Sequence, residues 1–487
     1  MIEARKMDAV CLGSAVPLGP THAVGFSASG AAGAGRKVYM GREDHSITFA
    51  PTGAGKGTTG VIPLLLSHEG PAIVFDPKGE AAHVTAAYRR SLGQKVFVVD
   101  PLGVTGLKQA RFNPLDLIDL TREDYYDEAR ALADSLLLPP KDPKNQFWLN
   151  QARQVVSAVL IEAVHRAGKT GNAEMGHVLD VFSEIESGRS GRLAVSDMPE
   201  VAHASRLFDL GANETLGGIM HFVHEAMEMF YSRPIRASLT KSSFRLADLV
   251  EGRPMTVYFV LPPHMLRSHA RLIRLWLGAL MQLLSRRGRA HEKSTLFVVD
   301  EAAQLGPMEM FVTLMTLMRG YGAQCASFWQ DPAQLMACYP DDWKTLRNNA
   351  RLIHAFGQTG QAAMRDLEVF LGYGVGSLES EIGRRLCQVD GQLMRAETRD
   401  YRSDPLLAPR AEENPFHAAN PSGRIERPVR KLKRRKSAKG KRSKPSPYNS
   451  ACWMMEVDLE PAFAEHLQGE IDGLFAGAPE ADPEPQG

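Results

Sequence analysis

The 487-residue sequence predicts an α/β fold: a doubly wound parallel sheet interrupted by an all-helical block. Three observations carry that prediction. Short runs rich in β-branched and aromatic residues recur along the chain, each ending at a polar residue or a turn. Helical patterns lie between several of them. One run leads straight into a small, glycine-rich, lysine-bearing segment, "APTGAGKGTTG" (50–60), which has the makings of a phosphate-binding loop.

The runs, in order, are "SITFA" (46–50), "AIVFD" (72–76), "VFVVD" (96–100), "TVYFVL" (256–261), "TLFVVD" (295–300), "QCASFW" (324–329) and "LIHAF" (352–356). Apolar on both faces, they read as central strands of a parallel sheet. "ARLIRLWLGALMQLLSRR" (270–287) is one helix between them, and the alternation argues for a doubly wound domain. It breaks between about 115 and 245, where helical spacing runs without a clear strand. In "QFWLNQARQVVSAVLIEAVHRAG" (146–168), Trp148, Ala152, Val155, Val156, Val159 and Ala163 share one helix face. The expected organisation is a flexible lead-in over 1–40 and a nucleotide-binding domain over 41–115 and 246–405. The all-helical insertion covers 116–245, between the third and fourth strands. A Pro-rich, basic, disordered linker over 406–450 and a C-terminal helix with an acidic tail over 451–487 complete it. The last helix is expected over 460–476, where Phe463, Leu467, Ile471 and Leu474 recur on one side. "GFSASGAAGAG" (25–35) has the composition of a dinucleotide loop, but no strand precedes it and no helix pattern follows, so it reads as lead-in.

Composition narrows the function. Hydrophobic content of 44% and charged content of 23% are those of a soluble globular protein. The net charge of +1 hides a split. Residues 424–444, "RIERPVRKLKRRKSAKGKRSK", hold twelve Lys or Arg and one Glu; the rest has 45 basic against 55 acidic residues, a net of −10. Five scattered cysteines (Cys11, Cys325, Cys338, Cys387, Cys452) without a C-x-x-C pair argue against a zinc site or a disulfide framework and for free thiols in a reducing cytoplasm. The longest apolar helical run, "LWLGALMQLL" (275–284), is flanked by Arg274, Arg286 and Arg287 and is far short of the ~20 residues a span needs. Residues 9–35, free of charge but holding Pro17, Pro20 and six glycines, make a poor signal peptide. The expected location is therefore the cytoplasm, with any membrane contact peripheral, at the inner face of the cell membrane, or made through a partner.

The loop departs from the usual pattern G-x-x-x-x-G-K-[ST]: Ala50 stands at the first glycine and Gly57 at the hydroxyl position. It still offers what phosphate binding requires. Thr52, Gly53, Ala54, Gly55 and Gly57 are small enough for backbone amides to close around an anion, Lys56 can reach the terminal phosphates, and "TTGVIPLLL" starts a helix whose N-terminus faces the anion. Thr58 or Thr59, or a water, is left to serve Mg²⁺ in place of the missing hydroxyl. The alternative is a structural turn of the same composition. A second segment, "TLFVVDEAAQL" (295–305), is an apolar strand ending in Asp300 and Glu301. Asp300 can orient Mg²⁺ and its waters, and Glu301 can act as general base on the attacking water. Solvated acids at a strand end are the plainer alternative, but a strand–GK–helix loop in the same chain favours the catalytic one.

These segments resemble the type IV coupling proteins of conjugation and type IV secretion. The likeness lies in "ITFAPTGAGKGTTGVIPLLL", "AIVFDPKGEAAHVTAAYRRSLGQKVFVVDP", "RFNPLD" (111–116), "FWLNQAR" (147–153), "LVEGRPMTVYFVLPP" (249–263), "FVVDEAAQLG" (297–306) and "RGYGAQCASFWQDPAQL" (319–335), which together span about 45 to 375. The resemblance implies a RecA-like P-loop NTPase, membrane-associated and hexameric, with an all-helical insertion; many members share the spelling A-P-T-x-x-G-K-G. Members usually begin with transmembrane helices, which this sequence does not show, and the strip at 424–444 is not expected from the shared core.

In a RecA-like sheet Gln330, after "QCASFW", faces the γ-phosphate and can sense hydrolysis, with an ordinary polar residue at a strand end as the alternative. Arg319 can reach a neighbouring subunit's nucleotide, with Arg347 and Arg351 as rivals and a solvated surface arginine as the alternative for each. Asp76 and Lys78 of "FDPKGE" are expected beside the loop, supporting the phosphate site or starting a helix. His83 and the other histidines show no metal-ligand spacing. The strip suits phosphate backbones without choice of sequence, since it contains no aromatic residue for stacking; anionic lipid and a solvated linker are its alternatives.

The function expected is that of an ATP-hydrolysing motor or gate that delivers a DNA–protein or effector protein substrate, such as a relaxase–DNA intermediate, to a type IV secretion channel. ATP and Mg²⁺ bind between subunits of a homo-hexamer. The loop from Thr52 to Thr58 holds the phosphates, Asp300 and Thr58 the metal, Glu301 the water. A nucleotide-binding recruiter with little turnover, a channel-independent DNA-processing or packaging ATPase, and a purely structural adaptor are the rivals.

Overall fold

The computed structural model describes residues 10–16, 36–41, 43–140, 142–168, 172–209, 213–378, 381, 384–398 and 400–416. The strip at 424–444, the helix expected over 460–476, the acidic tail and the glycine-rich run at 25–35 lie outside the described residues.

Eleven strands make one sheet: β1 Val10–Val16, β2 Arg36–Met40, β3 His45–Phe49, β4 Ala72–Phe75, β5 Lys95–Val99, β6 Met255–Phe259, β7 Thr295–Val299, β8 Ala323–Trp329, β9 Ala350–Ala355, β10 Leu386–Val389 and β11 Gln392–Thr398. Their spatial order is β2-β1-β11-β10-β9-β3-β8-β7-β4-β6-β5. From β9 to β5 every pairing is parallel; from β9 to β2 every pairing is antiparallel. The seven parallel strands are those the sequence predicts.

Alternate residues of these strands feed two layers, which is why the runs carry apolar residues at every position. Ile47, Phe49, Ile73, Phe75, Val257, Phe259, Phe297 and Val299 face a large core shared with the helices of residues 125–250 and with Ala270–Leu284. Val74, Val98, Tyr258, Val260, Leu296, Val298, Ala326 and Phe328 face the opposite core, shared with helices α1 (Ile62–Ser67) and α2 (Glu80–Ser91). The stretch between β5 and β6 holds the helices and no named strand among its described residues, yet β5 and β6 lie side by side.

Two segments differ from expectation. β1 and β2 fall within 1–40, read as a flexible lead-in. β11 presents a backbone edge that β1 pairs, and β2 pairs β1 across a register shift between Cys11 and Gly13, so backbone hydrogen bonding orders a stretch with weak side-chain patterning. Residues 406–416, read as part of a disordered linker, pack instead. Tyr401 and Leu407 are buried with Ile62, Leu66 and Val84, and Arg410 donates to the Leu66 carbonyl at 2.9 Å. The segment lies across α1 and α2, covering apolar side chains those helices expose outward. Among the described residues no helix is long and apolar enough to cross a membrane.

Candidate phosphate-binding and hydrolytic site

The site sits at the C-terminal ends of β3, β8 and β7, the edge of an open parallel sheet where ligands are bound. β3 ends at Phe49, and the Ala50 amide donates to the Trp329 carbonyl at 2.9 Å, fixing the loop's exit against β8. Gly53 (φ 85°) and Gly55 (φ 94°) take left-handed conformations that other residues adopt at a cost, so the loop turns back on itself. A π-type turn, Gly57–Val61, runs into α1 with Pro63 in its first turn. Gly60 lets this turn lie on the sheet, because a Cβ there would stand 2.7 Å from the Phe328 ring. Gly357 (φ 72°), just after β9, closes the other side: its Cβ would meet the Ala54 Cβ at 2.6 Å.

Lys56 is buried, with its Nζ 2.6 Å from Glu301 Oε1 and 3.9 Å from Asp300 Oδ1. Glu301 follows β7 in a left-handed conformation (φ 57°, ψ 50°), uncommon for a residue with a side chain, and its amide donates to Asp300 Oδ1 at 3.1 Å. Gln330, at the end of β8, donates from Nε2 to Glu301 Oε2 at 3.1 Å, and Gln358 in turn donates to the Gln330 carbonyl at 2.8 Å. Burial pushes the Asp300 carboxyl up to about 6; Lys56 pulls it down and Glu301 pushes it up. Asp76, just after β4, which pairs β7, is pushed up to about 7 by burial, against the hydrogen bond from the Ala82 amide and with the charges of Asp300 and Glu80 adding to it.

Lys56, Asp300, Glu301 and Gln330 thus converge. β8 and β7 stand between β3 and β4, so Asp76 and Lys78 border Asp300, whose carboxyl Lys78 helps to hold down, while Glu80 two residues on lies against Gly57 of the loop. The Thr58 hydroxyl turns back to the Gly55 carbonyl at 3.3 Å, and the Thr58 carbonyl accepts from the Tyr401 amide at 3.2 Å. Arg319 does not join the site within one chain. It precedes β8, whereas Gln330 follows it, and it lies by the Asn349 carbonyl at 3.5 Å on the opposite edge of the sheet. Arg351, at the same edge, pairs with Asp44 and Asp390; Arg347 caps the Leu371 carbonyl at 2.6 Å.

Three neighbours of the loop carry no motif. They are Gly357, Glu80, whose carboxyl lies against Gly57, and Arg385, which stacks on Phe356 with 4.5 Å to the ring centroid and donates to Thr59 Oγ1 at 3.2 Å. Arg385 arrives on the β10–β11 hairpin, and its one available signal is Asp390-Gly391 between two apolar runs, a two-residue hairpin turn. Among the described residues no group of three His, Cys, Asp or Glu forms a metal cage. Asp300 and Glu301 offer carboxylate oxygens of the kind Mg²⁺ takes, few in number and alongside water and phosphate oxygens.

A lysine-bearing loop after one strand, a polar side chain after the next and a paired acid after the third define a RecA-like P-loop NTPase fold. Residues 19–359 match the family described as type IV secretory system conjugative DNA transfer, and the chain belongs to that family. VirD4 of Rhizobium radiobacter is 30% identical over 319 residues, which cover 64% of this chain and 45% of that protein. A conjugal transfer protein TraG of Escherichia coli is 26% identical over 312 residues, covering 60% and 49%. The chain spans about half the length of these curated relatives. Among solved structures, the bacterial conjugative coupling protein TrwBdeltaN70 in complex with sulphate aligns with a TM-score of 0.51 at 14% identity, over 73% of this chain and 78% of that one. TrwB in complex with ADP and Mg²⁺ aligns with a TM-score of 0.50 at 14% identity over the same shares. At such identities the likeness is one of fold.

Proposed function

We propose that the protein is an ATP-hydrolysing coupling protein that brings a DNA–protein or protein substrate to a type IV secretion or conjugation channel. The observation that carries the hydrolytic part is the Lys56–Glu301 contact of 2.6 Å with Gln330 on the other carboxylate oxygen. Lys56 lies where it can exchange Glu301 for a phosphate oxygen. Glu301, released, accepts a proton from the attacking water, and Gln330, bonded to that carboxylate, is in position to report the change to β8. Mg²⁺ bound with the nucleotide neutralises phosphate charge, and Asp300 is the residue to hold its water shell. TrwB, of the same fold, has been seen with ADP and Mg²⁺. The family match supports delivery to a secretion channel. Assembly as a homo-hexamer, with Arg319 offered from the opposite sheet edge to a neighbouring subunit, and attachment at the inner membrane face through a partner belong to the same proposal.

A second reading, a recruiter that binds nucleotide with little turnover, is favoured by the same ion pair, because an unbroken Lys56–Glu301 contact withholds both residues. ATP hydrolysis with and without single-stranded DNA, beside Lys56→Ala and Glu301→Gln, separates the two. DNA-stimulated activity lost in both variants is expected; Lys56-dependent binding without turnover would mean the recruiter, and affinity unaltered by Lys56→Ala would defeat both.

A further inference from the structure

Gly57 stands where the P-loop pattern places a metal-binding hydroxyl, and the hydroxyls next along the chain are engaged elsewhere. Thr58 and Thr59 both bond the Gly55 carbonyl, at 3.3 Å and 2.9 Å, and Thr59 also accepts from Arg385. On the side of Gly57 to which a side chain would point lies a carboxylate. A Cβ built at Gly57 would be 3.5 Å from Glu80 Oε1, 3.6 Å from its Cδ and 3.6 Å from Oε2. Three features aim that carboxylate. Glu80 opens α2, directly after β4, which borders the strand of Asp300. Gly79 (φ 75°) turns the chain there and tolerates no side chain, since its Cβ would lie 2.3 Å from Thr105 Cγ2. Asn414, on the segment crossing α2, donates to Glu80 Oε1 at 2.6 Å.

We propose that Glu80 replaces the missing loop hydroxyl, ordering the water shell of the nucleotide's Mg²⁺ from the Gly57 side while Asp300 holds it from β7. The inference rests on the nucleotide-binding reading. Loop and acid are complementary: position 57 brings no hydroxyl, and the Glu80 carboxylate stands at ordinary contact distance from where its Cβ would be. Glu80 acts through water, as a positioning residue.

The test uses the full chain, ADP, and Mn²⁺ as the paramagnetic probe, with free Mn²⁺ read by electron paramagnetic resonance. Glu80→Gln, which keeps shape and the Asn414 contact, is expected to weaken Mn²⁺ binding to the ADP complex by about tenfold or more, leaving ADP affinity in EDTA and the melting temperature near wild type. Gly57→Ser in the Glu80→Gln background is expected to restore Mn²⁺ affinity, since a Cβ at 57 fits at ordinary contact distance. Mn²⁺ affinity unchanged in Glu80→Gln overturns the proposal. So does a loss matched by equal losses in EDTA or in melting temperature, which marks Glu80 as a helix-start acid only. If the wild type binds no ADP at all, the nucleotide reading itself has failed, an outcome the EDTA titration separates from the others.

Discussion

Lys56 and Glu301 face each other across the sheet edge at 2.6 Å, and Gln330 holds the second oxygen of the same carboxylate at 3.1 Å. A buried ammonium so paired is not free for phosphate. Glu301→Gln keeps the shape and removes the charge that competes for Lys56, so ATP affinity should rise by about threefold to tenfold, the effect of losing roughly 1 kcal/mol of ion-pair competition. Turnover should fall by about a hundredfold or more, because the general base is gone. A fluorescent ATP analogue and a steady-state assay check the two halves separately.

Gly357→Ala should injure the loop from outside it. The new methyl would meet the Ala54 Cβ at 2.6 Å, and the residue would have to hold φ 72° with a side chain. Strain of about 1–3 kcal/mol is expected. The clash falls on Ala54 and Pro51 of the loop, so nucleotide affinity should suffer more than the unfolding midpoint. Titration of nucleotide beside urea unfolding reads both.

Buried histidines should make the protein acid-sensitive. Burial holds His45 down to about 4, and His68 and His354 down to about 3. The His45 Nδ1 accepts from the Cys325 amide at 3.0 Å, so its neutral ring carries the proton on Nε2. For each, the folded value lies below the free value of 6.5. The stability they contribute is therefore full above about pH 6.5 and is lost as pH falls toward the folded values. Between about pH 7.5 and about pH 5.5 each should cost about 1 kcal/mol. Urea unfolding at the two pH values checks the slope, and His354→Phe should flatten it by one residue's share.

Arg274 ties the acidic strand's exit to the helical block. Fully inside, with burial lowering its guanidinium to about 10, it donates to the Leu305 and Pro307 carbonyls at 2.8 and 2.5 Å, just beyond Glu301. It also donates to the Ser135 carbonyl at 3.1 Å, at the end of the helix Tyr125–Leu136. Arg274→Met should strand these carbonyls and cost about 3 kcal/mol in denaturant unfolding. Turnover should drop more than ATP affinity, since the freed segment carries Glu301 rather than Lys56.

The central strands are legible because a strand covered on both faces must be apolar at every position, a requirement written locally. Lys56, Asp300, Glu301 and Gln330 are legible for a related reason: each stands at the end of such a run. What escapes is set by long-range neighbours. Nothing local marks Gly357 as the residue that lets β9 approach Ala54, or Glu80 as the acid against Gly57. β1 is ordered by the edge it pairs rather than by its own pattern. The β10–β11 hairpin differs: Asp390-Gly391 announces it, and the basic and Pro-rich residues that follow draw attention away from it.

Strand order also dictates when the loop can exist. β3 is the first parallel strand to be synthesised, and its two neighbours, β8 and β9, span residues 323–329 and 350–355. β5 must likewise wait for β6 across the helices between them. Closing such distances costs chain entropy before any pairing compensates it, which makes for slow folding and a long interval with sheet edges open. A chain still emerging from the ribosome carries Lys56 from early on, but the wall that shapes the loop around it arrives only with β9.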